Sequence, residues 1–102
     1  MTLVAKSARG LERLLVDEAL PPDRLTVHIT EVGPGARAHP PHTHDGVEGF
    51  YIIEGQGVVE VGEERHALGA GEAALIDATT LHGLVNAGAG PLRYMVIIAR
   101  PS

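Results

Sequence analysis

GARAHPPHTHDGVEGFYIIEG, running from Gly35 to Gly55, is the stretch that decides how this chain is read. Its second half is built for an extended backbone. Glu48 to Glu54 (EGFYIIE) is rich in aromatic and β-branched residues, and Gly55-Gln56-Gly57 stops it. Its first half is a loop around Pro40-Pro41 that carries three of the six histidines. Side chains two apart on an extended chain share a face. His42 and His44 therefore project together where the backbone is extended. Glu48 has the same parity and joins them, provided Asp45-Gly46 inserts no bulge. Phe50 and Ile52 continue that face, so three polar groups would stand beside an apolar wall. Such a combination suits a small-ligand pocket.

Working outward, the rest of the chain is cut into short pieces by 13 Gly and 7 Pro. Frequent turn signals between short β-rich runs favour an all-β sandwich or barrel. Leu25 to Val32 alternates, with Val27 and Ile29 on one face and Thr26, His28 and Thr30 on the other. Val58 to Val61 and Arg65 to Leu68 form a predicted hairpin about Gly62-Glu63. Ala73 to Ile76 is a short strand, Leu81 to Asn86 follows, and Leu92 to Ala99 is a long apolar final strand. Leu11 to Leu20 is read as a strand. A helical stripe from Leu11, Leu14 and Leu15, ended by Pro21-Pro22, is the alternative. Residues 1–24 are expected to pack on or pair with the barrel edge, and residues 25–100 to form the barrel itself.

Composition narrows the function classes. With 102 residues the chain suits one compact domain. Its 13 acidic residues outnumber 8 basic ones, for a net charge of -5. The cations are scattered singly, which argues against nucleic-acid and anionic-membrane partners. Only 3% of residues are aromatic, so stacking on bases or sugars is not a main binding mode. Cysteine is absent, which removes disulfides, thiolate nucleophiles and Cys-based zinc sites. No signal peptide or membrane-spanning run is read, and a cytoplasmic protein is expected.

Two imidazoles and one carboxylate form a borderline-hard ligand set. It suits one divalent transition ion, Mn, Fe, Co, Ni or Zn, better than Ca or Cu(I). His82, which begins a later strand, could reach the same ion in a closed barrel. Three His and one Glu would leave about two of six coordination positions for water or substrate.

These residues resemble the cupin superfamily. Its first motif, G-x5-HxH-x3,4-E-x6-G, is filled by Gly35, His42, His44, Glu48 and Gly55, with one extra residue before His42. Its second, G-x5-PxG-x2-H-x3-N, is matched by Gly71, His82 and Asn86. Asp77 stands for the proline and Thr79 for the glycine, which changes the turn before His82. The resemblance covers about Leu25 to Ile98. It implies a double-stranded β-helix, a jelly-roll-like barrel in a single domain, often a homodimer. It also implies that His42, His44, Glu48 and His82 bind a metal, with Asn86 in support behind them.

The remaining polar residues have plainer readings beside their functional ones. His28 is a structural histidine or a pocket residue; Tyr94 is core or a pocket hydroxyl. Phe50 and Ile52 complete the expected pocket lining. His39 reads as a loop histidine, with a place at the pocket mouth as the alternative. His66 is solvated, and Asp77 caps its turn. Arg37 and Arg93 are solvated charges or partners for a substrate carboxylate. Three functions compete: a metalloenzyme acting on a small oxygen-rich substrate, of dioxygenase or isomerase type, with Glu48 able to accept a proton; a non-catalytic binding or sensing module; and a purely structural metal site. A homodimer is expected from an open edge or face on the N-terminal strand (Leu11 to Val16) or the last strand.

Overall fold

A computed structural model describes residues 12–13 and 24–100. Among the described residues the fold is all-β, with eight strands in two antiparallel sheets. They are β1 (Glu12–Arg13), β2 (Leu25–Val32), β3 (Val47–Glu54), β4 (Gln56–Val61), β5 (Glu64–Gly69), β6 (Ala73–Asp77), β7 (His82–Asn86) and β8 (Leu92–Ala99). One sheet has the order β1-β2-β8-β3-β6 and the other β5-β4-β7. Among the described residues no helix is long and apolar enough to cross a membrane.

The strand pattern follows the side chains. On β3, Glu48, Phe50 and Ile52 are buried while Val47 and Tyr51 are exposed, the period-two signature of a sheet with one inner face. On β8 the buried set is Leu92, Tyr94, Val96 and Ile98. These meet Val59, Ile76 and Leu84 in a core between the sheets. β2 turns its polar face inward: Thr26 and Thr30 are buried although the strand's aliphatic residues sit at odd positions. That inversion brings hydroxyls and an imidazole to the barrel interior.

Gly62 takes a positive φ of 58° at the first position of the two-residue β4–β5 turn, as tight hairpins favour. Gly46, at φ 96°, matters more. A Cβ there would stand 2.1 Å from the Ala99 carbonyl oxygen, so only glycine lets the loop enter β3 beside β8. Gly46 also breaks the continuous parity expected from His42 to Glu48: the chain turns at 45–46 instead of running straight.

One expectation for the ends of the chain changes. The last strand lies inside the larger sheet, paired with β2 on one side and β3 on the other, so it presents a face and no open edge. Val47, Tyr51, Leu75 and Ile97 are exposed on the outer face of β3, β6 and β8. Of the strand expected over Leu11 to Leu20, Glu12–Arg13 pairs antiparallel with β2. The rest lies outside the described residues.

Candidate metal centre

Three separate pieces of backbone supply the site. Glu48 comes from β3 in the larger sheet and His82 from the first position of β7 in the smaller one. His42 and His44 come from the loop between β2 and β3. That loop is laid against β7 by an isolated bridge: His42 N–H donates to the His82 carbonyl and His82 N–H to that of His42, both at 3.0 Å. His44 N–H donates to the Ala78 carbonyl at 2.9 Å. Gly83 permits this approach, since a Cβ there would sit 3.3 Å from the Pro41 ring.

The turn before His82 is held by its departures from the motif. Asp77 Oδ1 accepts from the Thr79 amide at 3.0 Å and from the Thr79 hydroxyl at 2.7 Å. These bonds, the hydroxyl's first, hold the Asp77 carboxyl below its usual range. A side chain thus does the stiffening that proline would do covalently, and His82 still points inward, 1% exposed.

One ligand atom from each of His42, His44, Glu48 and His82 lies within 4.8 Å of all the others. A six-coordinate ion with bonds of about 2.1 Å spaces its neighbouring ligands about 3.0 Å apart and opposite ones about 4.2 Å. The donors therefore fit one ion after a contraction of about half an ångström. The ring orientations fit as well. His82 Nδ1–H donates to the Thr80 carbonyl at 2.8 Å, and His44 Nδ1–H to that of Asp45 at 2.9 Å. Carbonyls only accept, so in the neutral ring each bond places the proton on Nδ1 and leaves Nε2 with the lone pair that a metal ion would use. Both lone pairs then converge on one carboxylate oxygen, Glu48 Oε1, at 3.2 and 2.7 Å. Three electron-rich atoms meeting in a buried place call for a positive centre among them, which a divalent ion would supply. Burial first, then His39 and His82, pushes His42 below its usual pKa, which favours the neutral, ligating form.

A cavity of about 10 Å³, room for a single water, adjoins Glu48 and His82. Phe50, Leu84 and Val96 form its apolar wall, Tyr94, Thr30 and His28 its polar one, and Ala38 and His39 its solvent side. The Tyr94 phenol is pushed up to about 12, by burial first and by Glu48 second; Thr30 pulls more weakly the other way. Tyr94 is therefore a neutral O–H group at physiological pH.

Of the residues expected to line the pocket, His28, Phe50 and Tyr94 do so. Ile52 does not: it is fully buried in the core, two residues beyond Phe50 on the inner face. Asn86 is not behind the ligands either. Its amide donates to the Val32 and Gly90 carbonyls, and its Oδ1 accepts from Gly88 N–H, so it ties the β7–β8 turn to the end of β2. Strand length explains this, since four residues put it about 13 Å from His82. His39, read as a loop histidine, stacks 4.5 Å from the His42 ring. Arg37 is drawn to Glu60 at 2.6 Å. Sequence reasoning missed Thr30 in the cavity and the orienting carbonyls of Asp45 and Thr80. Backbone groups carry no sequence signal, whereas the inward parity of Thr30 with His28 could have revealed it.

Similar proteins agree with this architecture. The TT1209 protein of Thermus thermophilus is 30% identical over 90% of this chain and 86% of its own, with a TM-score of 0.71. A predicted oxalate decarboxylase from Thermotoga maritima shares the fold at 22% identity, covering 99% of this chain and 100% of its own, with a TM-score of 0.80. So does the cupin domain of an XRE-family transcriptional regulator from Enterobacter cloacae, at 20% identity, 90% and 96% coverage and a TM-score of 0.77. None of the curated proteins compared with the chain matches it. The family profile described as "Cupin domain" matches residues 28–98, and with two antiparallel sheets enclosing the His/Glu cluster, this chain belongs to the cupin family.

Proposed function

We propose that this protein is a metal-dependent enzyme, of oxygenase or isomerase type, acting on a small oxygen-rich substrate. The observation that carries the reading is the incomplete ligand set: among the described residues the group that could hold an ion offers four side-chain donors, and it stands beside a cavity. Closed four-ligand cages tend to be structural, and open ones catalytic. When bound, the ion would supply Lewis-acid polarisation of substrate oxygens, or oxygen activation if it is iron.

The chain's own residues support such chemistry. His42 and His44 are half-buried and Glu48 and His82 buried, so the donors span from the rim to the interior. Phe50, Leu84 and Val96 exclude water from the inner side, which strengthens every polar interaction there. Tyr94 offers a neutral hydroxyl for an oxygen of the substrate. The free lone pairs of Glu48 suit it to take up a proton from a bound hydroxyl.

A non-catalytic binding module is the second reading, and the small size of the cavity favours it. One experiment separates the two. The purified protein is assayed for bound metal, then incubated with small diketones, 2-oxo acids and thiols while oxygen uptake and isomerised products are followed. Metal-dependent turnover that His44→Ala abolishes supports the enzyme. Tight ligand binding without turnover across the panel supports the module.

A further inference from the structure

We infer that the inner cavity beside Glu48 and His82 is a size filter that admits only a ligand of about one to three non-hydrogen atoms with an oxygen or nitrogen donor, held by the Tyr94 hydroxyl. The inference rests on the metal reading above and adds what the open side of that site will accept.

Three observations carry it. The first is volume: about 10 Å³ is left between Phe50, Leu84, Val96 and the two innermost ligands, room for one water. Phe50 and Val96 are buried on β3 and β8, which are paired Phe50↔Val96, and Leu84 is buried on the opposing sheet. Three rigid strands set the cavity's width, so enlarging it for a bigger ligand means breaking core packing.

The second is polarity. Beyond Glu48 and His82 the inner wall is apolar except on one side, where His28, Thr30 and Tyr94 stand on the paired strands β2 and β8, Thr30 directly opposite Tyr94. The Tyr94 ring is itself packed, 6.2 Å from that of Phe50, so its hydroxyl is held in place before any ligand arrives. A neutral phenol donates to an anion or a lone pair and does not repel it. The third is the contrast with the loop side, where His42 and His44 are only half-buried and a larger molecule can approach. The site thus has a narrow inner approach and a wide outer one, and Tyr94 determines specificity on the narrow side.

The test uses the full chain loaded with cobalt(II), whose visible absorption reports both ion binding and changes of ligand. Azide, with three atoms, is titrated against benzoate, with nine. Azide should perturb the spectrum and bind at least tenfold more weakly to Tyr94→Phe, which keeps the ring packing and loses only the hydroxyl. Val96→Ala should let acetate bind at least tenfold more tightly by widening the cavity. Unchanged azide affinity in Tyr94→Phe, or benzoate losing as much affinity as azide in that variant, overturns the filter while the cobalt spectrum leaves the metal reading standing. A protein that gives no cobalt spectrum at all overturns both.

Discussion

Two histidine–carboxylate pairs in this molecule have the same chemistry and nearly the same spacing. His82 Nε2 lies 3.2 Å from Glu48 Oε1, and His66 Nε2 lies 3.1 Å from Glu64 Oε1. The first pair joins residues 34 apart on opposite sheets, with side chains 1% and 2% exposed; the second joins neighbours on β5, 52% and 71% exposed. Water solvates the second pair and makes its contact nearly neutral in energy. In the first, burial strips that solvation away, and His44 Nε2 crowds onto the same oxygen. Proximity is therefore a poor mark of function. What distinguishes the buried pair is a desolvation cost that a bound cation would relieve.

The sharpest way to break this contrast is to remove one member of each pair. His82→Ala should weaken metal binding by about 100-fold or more, read by competition with a chromophoric chelator, because a ligand is lost outright. His66→Ala should leave the affinity unchanged. Next in size is the backbone that brings the buried pair together. Gly46→Ala forces a Cβ against the Ala99 carbonyl at positive φ. It should cost about 2 kcal/mol and lower the melting temperature by about 10 °C.

Smaller again is the Asp77–Thr79 turn that aims His82. Asp77→Ala should weaken metal binding by about tenfold, as loss of an orienting contact does, with the same chelator assay as readout. The smallest effect is on pH. His42 is held below its usual value of 6.5, so the unfolded chain binds more protons than the folded one between the lowered value and 6.5. Stability of the metal-free protein should therefore fall as pH drops through that window and level off below it. A denaturant series from pH 7.5 to 5 checks the slope, which His42→Gln should reduce.

The sequence carried the fold to within a residue or two at most strand ends. β2 was legible from its alternation and β8 from its long apolar run, each bounded by glycine or proline. β4 and β5 each extend a residue or two beyond the predicted hairpin, because pairing continues past the last aliphatic residue, to Gln56↔Gly69 and Val61↔Glu64. The ligands were legible from residue type and spacing, yet the physical reason differs from parity alone. Gly46 turns the chain, and the loop reaches Glu48 by pairing with β7.

Depth along a strand was not legible. Parity gives a face and says nothing of distance from the site, so Ile52 was expected beside the ligands and lies deeper; Asn86, expected there from the motif, lies at the far end of β7. On β2 the expectation of His28 in the pocket was not extended to Thr30 on the same face. Valine and isoleucine at odd positions suggest the core side, whereas the interior of this barrel needs the hydroxyls and imidazole at even ones.

Anomalous diffraction from crystals grown with a divalent transition metal tests the central claim most directly. A single strong peak is expected, within about 2.0–2.3 Å of His42, His44, Glu48 and His82 together. Absence of a peak there, or a peak only at the exposed His66–Glu64 pair, would contradict the account.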